Sequence, residues 1–205
     1  SGKSTLINLI PRFFDVTGGS ILVDGIDIRD VSIKDLRSKI GLVPQKGVLF
    51  SGTIESNIRF GLDDIDKDKV VDAALVAEAK DFIMEKEDNF NSPISQGGKN
   101  VSGGQKQRLA IARAVVRNPE IYIFDDSFSA LDYKTDSLVR KNLSKKIKDA
   151  TVIIVTQRVS TVLNANQIIV LDDGKCVGIG THKELLNSCE IYREIASSQL
   201  GEEEI

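Results

Sequence analysis

Short apolar runs alternate with longer amphipathic stretches along the second half of the chain. Ile121–Phe124 and Thr151–Val155 are apolar at nearly every position, which is typical of parallel strands covered on both faces. Lys134–Lys148 lies between them and carries its apolar residues at helical spacing. Gln167–Leu171 repeats the strand pattern after a short helical segment at Val159–Leu163. This alternation predicts an α/β domain with a mainly parallel sheet flanked by helices.

Helical patterns dominate the middle of the chain. Asp66–Asp88 is rich in charge with apolar residues at helical spacing, and Gly103–Val116 is a helix that follows a glycine turn. We expect a small α-helical subdomain over approximately residues 53–117, inside one domain covering residues 1–205. The other predicted elements are helices at Ser4–Phe13, Ser32–Ser38, Thr181–Asn187 and Tyr192–Ser198, strands at Ser20–Val23 and Ile40–Val43, hairpin turns at Asp24-Gly25 and Asp173-Gly174, a glycine-containing loop at Asn91–Asn100, and a frayed tail at Glu202–Glu204.

The composition limits which classes of protein this chain can belong to. The 205 residues are 41% hydrophobic, which is enough for a core, and the net charge of −3 argues against a general nucleic-acid binder. Cys176 and Cys189 lack Cys-x-x-Cys spacing, so we interpret them as thiols of a cytosolic protein. No apolar run reaches the roughly 18–20 residues that a membrane helix needs. If the protein works at a membrane, this piece lies beside it.

The first residues match the end of a phosphate-binding loop. Such a loop has the pattern Gly-x-x-x-x-Gly-Lys-Ser/Thr, and Gly2, Lys3 and Ser4 supply its last three positions. Lys3 would contact the β- and γ-phosphates, Ser4 would ligate Mg²⁺, and Thr5 lies in the first helical turn, where N–H groups favour anions. On its own this short pattern also fits a solvated helix start. Because the first glycine of the loop is missing, we expect a fragment truncated within the motif.

Two further segments carry chemistry. Asp125 ends an apolar strand, so it would lie at the carboxyl edge of the sheet, where ligands of α/β proteins bind; the alternative is an Asp that caps the next helix. Val101–Gln105 is a glycine turn at a helix start, where Ser102 and the N–H groups of Gly103 and Gly104 form an anion site. Its plain alternative is a turn before a helix.

Together these motifs, in this order, resemble the nucleotide-binding domain of ATP-binding cassette (ABC) transporters over essentially the whole chain. The resemblance implies that Asp125 is the Walker B aspartate that holds Mg²⁺ through water. Val101–Gln105 resembles the signature motif, with Val in place of Leu, and Gln105 belongs to it. Gln45 resembles the Q-loop glutamine that touches Mg²⁺ and the attacking water, and Ser129–Asp132 resembles the D-loop, which places Asp132 near nucleotide.

Two positions depart from the family pattern. Asp126 stands where the family usually has a glutamate that polarises the attacking water, and Gln157 stands where it usually has a histidine that contacts the γ-phosphate. Aspartate is one methylene shorter, and glutamine cannot carry charge or shuttle a proton. This double departure resembles the degenerate-site subunit of heterodimeric exporters. The only histidine, His182, we interpret as a surface residue near a helix start.

The resemblance implies ATP and Mg²⁺ as cofactors, and two partners: a second cassette whose site this signature motif completes, and a transmembrane domain, N-terminal in the same full-length chain. It also implies a location on the cytoplasmic face of the cell membrane and no nucleic-acid partner. An active homodimeric exporter in which Asp126 suffices stays open. So does a soluble ABC protein of DNA repair or translation, although the stretch between Lys3 and Ser102 holds no sustained heptads. The cargo is not encoded in this chain.

Overall fold

The computed structural model describes residues 2–62 and 64–201. The expected fraying of Glu202–Glu204 therefore lies outside the described residues. The chain divides into two compact units, Arg29–Ile153 and the described residues of Ser1–Ile28 with Ile154–Ile205.

Helices and strands alternate as the pattern predicts. The described helices are α1 (Lys3–Leu9), α2 (Ile33–Ser38), α3 (Ile54–Ile58), α4 (Lys67–Val76), α5 (Lys80–Met84), α6 (Gly103–Val116), α7 (Tyr133–Lys146), α8 (His182–Ser188) and α9 (Glu190–Gln199). The described strands are β1 (Leu22–Val23), β2 (Ile26–Asp27), β3 (Ile40–Val43), β4 (Gly52–Thr53), β5 (Pro93–Ile94), β6 (Ile121–Asp125), β7 (Thr151–Val155), β8 (Ile168–Asp172) and β9 (Lys175–Gly180).

A sheet with strand order β3-β6-β7 positions the candidate site. β3 and β6 run parallel, with Ile40 opposite Ile121 and Val43 opposite Phe124. Tyr122, Ile123 and Phe124 are all buried, as expected for a strand covered on both faces. The parallel direction places the carboxyl ends of both strands at one edge, so the residues that follow each strand emerge together.

Helix α6 has the predicted bounds because its start is specified locally. Ser102 accepts a hydrogen bond from the backbone N–H of Gln105, and the Gln105 side chain accepts one from the backbone N–H of Ser102. This reciprocal capping box satisfies N–H groups that a helix start otherwise leaves without partners. Helices α3 and α4 pack against α6 within the Arg29–Ile153 unit. The subdomain boundaries at about residues 53 and 117 stay a prediction.

Several predicted boundaries are wrong for local reasons. Helix α1 ends at Leu9 instead of about Phe13. Ile10 still has helical backbone, but Pro11 has no N–H with which to continue the hydrogen-bond ladder, and Arg12 adopts φ 53°. The segment Asp66–Asp88 forms two helices, α4 and α5, because Glu78 has φ 53° between them. At Val159–Leu163 only one 3₁₀ turn forms, over Val159–Thr161.

The unit that contains both chain ends holds a hairpin and two helices. Strands β8 and β9 pair antiparallel around the predicted Asp173-Gly174 turn, where both residues have positive φ. Ile168 and Val170 of β8 pack with α8 and α9 in a core centred on fully buried Leu185. The sequence pattern missed the extent of β9 and the two-residue strands β4 and β5, which are too short to show periodicity.

Candidate functional site

Carboxylates and an amide meet at the carboxyl edge of β3 and β6. Asp125 is the last residue of β6, Asp126 follows it, and Gln45 is the second residue after the end of β3. The Gln45 side-chain amide donates a long hydrogen bond of 3.3 Å to the Asp126 carboxylate. The structure therefore brings together three of the predicted site residues from positions about eighty residues apart, as the parallel topology requires.

The turn after Asp125 fixes the direction of both carboxylates. Asp126 adopts φ 45°, a left-handed conformation that Asp tolerates better than most residues. Its carbonyl accepts a 2.7 Å hydrogen bond from the Ser129 hydroxyl. The hydroxyl of fully buried Ser127 donates to the carbonyl of Val43 at 2.7 Å and so ties the end of β6 to the end of β3. The edge is thus closed by side-chain bonds as well as by the strand ladder.

The donor set at this edge fits a hard cation. Carboxylate and amide oxygens are the ligands that Mg²⁺ prefers, and Mg²⁺ usually takes only one or two carboxylates beside waters and substrate phosphates. Asp125 and Gln45 offer such atoms, since the bond to Asp126 uses only the amide nitrogen of Gln45. Within the described residues no group of three or more His, Cys, Asp or Glu could hold a metal.

Ser102, Gly103 and Gly104 form the exposed start of α6. Ser102 and Gly103 are exposed, and the 14-residue helix directs its first N–H groups outwards from this end. A Cβ on Gly104 would lie 3.5 Å from the carbonyl oxygen of Ala130, so the signature segment lies beside the predicted D-loop. An anion at this helix start would meet the backbone N–H groups of its first turn.

Asp132 acts as the cap of α7. One carboxylate oxygen accepts from the backbone N–H of Thr135 at 3.0 Å, and the other accepts from the Thr135 hydroxyl at 2.7 Å. These hydrogen bonds, chiefly from Thr135, hold the pKa of Asp132 below its usual value. Helix capping accounts for this aspartate, and its predicted contact with nucleotide stays a prediction.

Gly2, Lys3, Ser4 and Thr5 lie at the start of α1 in the unit that contains both chain ends. Gly2 is the N-cap with φ 83°, a conformation that favours glycine, and its carbonyl accepts the first helical hydrogen bond, from Leu6. Lys3 and Ser4 are the first two helical residues, where N–H groups point towards a bound anion. Their predicted contacts with phosphate and Mg²⁺ stay predictions.

Gln157 lies in the same unit, in an exposed loop after β7. Sequence reasoning missed the residue that holds this loop, Gln199 at the end of α9. Its side chain donates to the carbonyl of Gln157 at 2.8 Å and accepts from the backbone N–H of Val159 at 2.9 Å. No sequence motif predicts this contact, because it joins residues about forty positions apart.

His182 lies where the sequence indicates, at the first position of α8. Its Nδ1 lies 2.8 Å from the hydroxyl of Tyr192, and the two rings meet edge to face. This contact joins α8 to α9 and gives the histidine a structural role.

Comparison with known proteins identifies the family. A family model described as ABC transporter matches residues 1–129. The chain is 52% identical over 202 residues to an ABC transporter ATP-binding protein of Mycobacterium tuberculosis, with 97% of this chain covered. The chain belongs to the ABC transporter family. It spans 34% of the length of that relative.

Other relatives of this ABC transporter chain are exporters by name. It is 46% identical over 198 residues to a Staphylococcus aureus ATP-binding/permease protein whose name assigns it to multidrug export, covering 97% of this chain and 34% of that protein. A solved bacterial Atm1-family ABC exporter with ATP bound superposes with a TM-score of 0.94 at 39% identity, covering 98% of this chain and 35% of that one. The match establishes the nucleotide-binding fold of the family for this chain.

Across residues 2–62 and 64–201, none of the helices has the length and hydropathy to cross a membrane.

Proposed function

We propose that this chain is the ATP-binding cassette of a membrane exporter, with a hydrolytically weak site of its own and a signature motif that completes the site of a second cassette. The observation that carries the proposal is the meeting of Gln45, Asp125 and Asp126 at one sheet edge, with aspartate in the place of the general base. The exporter-type relatives support the transport role.

Asp126 is a poor general base for two reasons. Its carboxylate is one methylene closer to the backbone than that of glutamate, and it already accepts a hydrogen bond from Gln45. A general base must come within about 2.6–3.2 Å of the proton it takes, and a well-placed one contributes roughly 10²–10⁴-fold. The turn bonds of Ser127 and Ser129 oppose the backbone shift that would restore the reach.

Gln157 is the second departure from the family pattern that supports weak hydrolysis. Its amide can donate a hydrogen bond to a γ-phosphate, but it stays neutral and cannot pass on a proton. Gln199 holds its backbone carbonyl, and Val159 two residues later is buried in the core that α8 and α9 cover. In this proposal the backbone of Gln157 is held in place, and its exposed side-chain amide binds nucleotide without assisting hydrolysis.

The signature segment serves the partner. Ser102 and Gly103 are exposed at the start of α6, and the capping box holds the first turn in shape without any ligand. A preformed anion site on the surface suits a nucleotide that is carried by another cassette. When bound, Mg²⁺ would neutralise phosphate charge and help to orient the attacking water; in the Arg29–Ile153 unit, Asp125 and Gln45 are the residues that would hold it.

In this proposal ATP acts as the ligand that closes two cassettes. It drives the membrane domains only through its higher affinity for the closed state, and hydrolysis at the partner's site resets the pair. The membrane domain would belong to the same full-length protein, since the relatives are about three times as long as this chain and one is an ATP-binding/permease protein. The cassette would then face the cytoplasm, as the resemblance to the family implies.

One experiment tests the proposal. The full-length protein is expressed without any partner, and ATP turnover and nucleotide binding are measured on the same sample. We expect binding with almost no turnover, and turnover at the partner's site when a second cassette with Glu and His at the two positions is added. Brisk turnover by the protein alone contradicts the weak site. It would favour an active homodimer, for which the carboxylate of Asp126 at the sheet edge is the supporting observation.

A further inference from the structure

Gln107 is a buried amide in the second turn of α6. Only 1% of its surface is exposed, and it ranks among the largest fully buried side chains of the described residues. Its Nε2 donates to the carbonyl of Pro44 at 2.9 Å, and its Oε1 accepts from the backbone N–H of Gly47 at 2.8 Å. Both ends of one side chain are thus bonded to the backbone on either side of Gln45 and Lys46.

Stability alone does not call for an amide at this position. A buried amide loses its hydration, and its hydrogen bonds do little more than offset that loss, whereas an apolar side chain of the same shape fills a core about as well. Unlike an apolar side chain, an amide makes directional hydrogen bonds, with one donor and one acceptor held at a set distance from each other. Gln107 therefore sets the path of the loop that carries Gln45.

The loop is pressed against the backbone of α6 at the same point. A Cβ on Gly47 would lie 2.7 Å from the carbonyl oxygen of Lys106 and 3.1 Å from the backbone nitrogen of Gln107. Only a glycine allows this approach without a shift of the loop or the helix. The distance between loop and helix is consequently set by backbone contact, and the Gln107 side chain locks the register.

Two further bonds secure the ends of the loop. Ser127 donates to the carbonyl of Val43 on one side, and Arg113 of α6 donates to the carbonyl of Val48 at 2.9 Å on the other. Gln45 itself is exposed and points its amide at Asp126. The loop thus presents one functional side chain from a backbone that is bonded before and after it.

We propose that Gln107 is a positioning residue, which holds Gln45 where its amide oxygen can meet the Mg²⁺ of bound nucleotide. The inference rests on the proposed function for the identity of the ligand. Gln107 lies one turn beyond the helix start that carries Ser102, so the same helix that serves the partner's nucleotide also sets the geometry of this chain's own site.

The first test follows the loop itself in the full-length protein. Gln107→Met keeps the length of the side chain and removes both bonds. Asn142→Leu is the matched control, because it also exchanges an amide for an apolar group but removes a bond to Glu78, outside the loop. Hydrogen exchange should become faster across residues 45–48 in Gln107→Met and stay unchanged there in Asn142→Leu. Unchanged exchange in Gln107→Met overturns the proposal.

The second test measures how much Mg²⁺ tightens ATP binding. Photo-crosslinking of 8-azido-ATP to this chain is titrated with Mg²⁺ and with EDTA, and the ratio of the two affinities is the Mg²⁺ gain. Gln107→Met should lower this gain about tenfold, the low end for loss of a residue that orients a metal ligand, while affinity in EDTA stays the same. The control Asn142→Leu should keep the full gain.

A double-mutant cycle separates positioning from general destabilisation. If Gln107 acts through Gln45, the gain of Gln45→Ala/Gln107→Met should equal that of Gln45→Ala alone. Independent, multiplying losses overturn the proposal, as does a full gain in Gln107→Met or in Gln45→Ala. Absence of crosslinking in the wild-type protein would instead refute the proposed function, and the hydrogen-exchange test, which needs no nucleotide, would still decide whether Gln107 holds the loop.

Discussion

Asp125 and Asp126 are adjacent carboxylates at the end of β6, but their backbone conformations differ. Asp125 continues the extended backbone of β6, whereas Asp126 turns into the left-handed region and its carbonyl accepts a hydrogen bond from the Ser129 hydroxyl. The backbone thereby sends the two side chains in different directions. A substitution at one position should consequently have a different effect from the same substitution at the other.

We expect Asp126→Asn to lower ATP turnover of the assembled pair by less than about threefold, far below the roughly 10²–10⁴-fold that a working base contributes. Asparagine keeps an oxygen that can accept from Gln45, so the local structure should survive. Steady-state turnover of the co-expressed pair measures this. Asp125→Asn is the comparison that should abolish Mg²⁺-dependent binding at this site, and a fall of Asp126→Asn to background would make Asp126 the base.

Tyr122 offers a residue-scale test of the sheet. Its hydroxyl is buried with no hydrogen-bond partner among the described residues, and burial raises its pKa to about 12. Tyr122→Phe removes that hydroxyl while keeping the stack on Phe124, so the free energy of unfolding should rise by about 1 kcal/mol. Denaturant unfolding at neutral pH checks this, and a clear loss of stability would mean that the hydroxyl is satisfied.

The pH dependence has a definite sign. The unfolded chain loses the Tyr122 proton near pH 10, whereas the folded protein keeps it until about pH 12. Between pH 10 and pH 12 only the unfolded chain releases this proton, which favours unfolding. The free energy of unfolding is therefore unaffected by Tyr122 ionisation below pH 10 and falls as pH rises to 12. Tyr122→Phe should show a shallower fall in stability across that window than the wild type.

At the scale of elements, α9 holds the loop of Gln157 in much the same way as α6 holds the loop of Gln45. In both cases a glutamine on a helix donates to a carbonyl on one side of the functional segment and accepts from an N–H on the other. The difference is burial, since Gln199 is exposed and Gln107 is not. Water can replace the bonds of Gln199 more easily, so its contribution should be smaller.

We expect Gln199→Met to speed hydrogen exchange at Val159 several-fold and to leave global stability within about 0.5 kcal/mol, as is usual for an exposed site. Ser198→Ala is the control, because its hydroxyl bonds only the preceding turn of α9, at Ile195. Equal exchange at Val159 in the two variants would show that the buried Val159 side chain, and not Gln199, fixes the loop.

The elements themselves were largely predictable, and the contacts that hold the loops were not. Helix α6 follows from a serine, two glycines and a glutamine that specify a cap, and β3 and β6 follow from unbroken apolar runs. The Gln45–Asp126 contact follows from parallel topology. The partners of Gln107 and Gln199 lie forty to sixty-three residues away along the chain, and local periodicity cannot predict pairs that are so far apart. Positive φ at Glu78 likewise became visible only in three dimensions.

At the scale of the whole molecule, the proposed function gives the cassette two partial nucleotide surfaces, one for its own nucleotide and one for that of a partner. We expect Ser102→Arg to abolish turnover at the partner's site, because a bulky cation would fill the space in front of the exposed α6 start. Nucleotide crosslinking to this chain should stay unchanged, which serves as the internal control. Full turnover in a pair that carries Ser102→Arg would contradict the cross-dimer role of the signature segment.

The close approach of Gly47 to α6 limits which substitutions this position can accept. Every single-nucleotide missense change of a glycine codon introduces a side chain, and each would place its first carbon 2.7 Å from the Lys106 carbonyl oxygen. Gly18 and Gly103, where that carbon would meet open space, face no such barrier. Across natural variants and in saturation mutagenesis, position 47 should therefore tolerate almost no replacement.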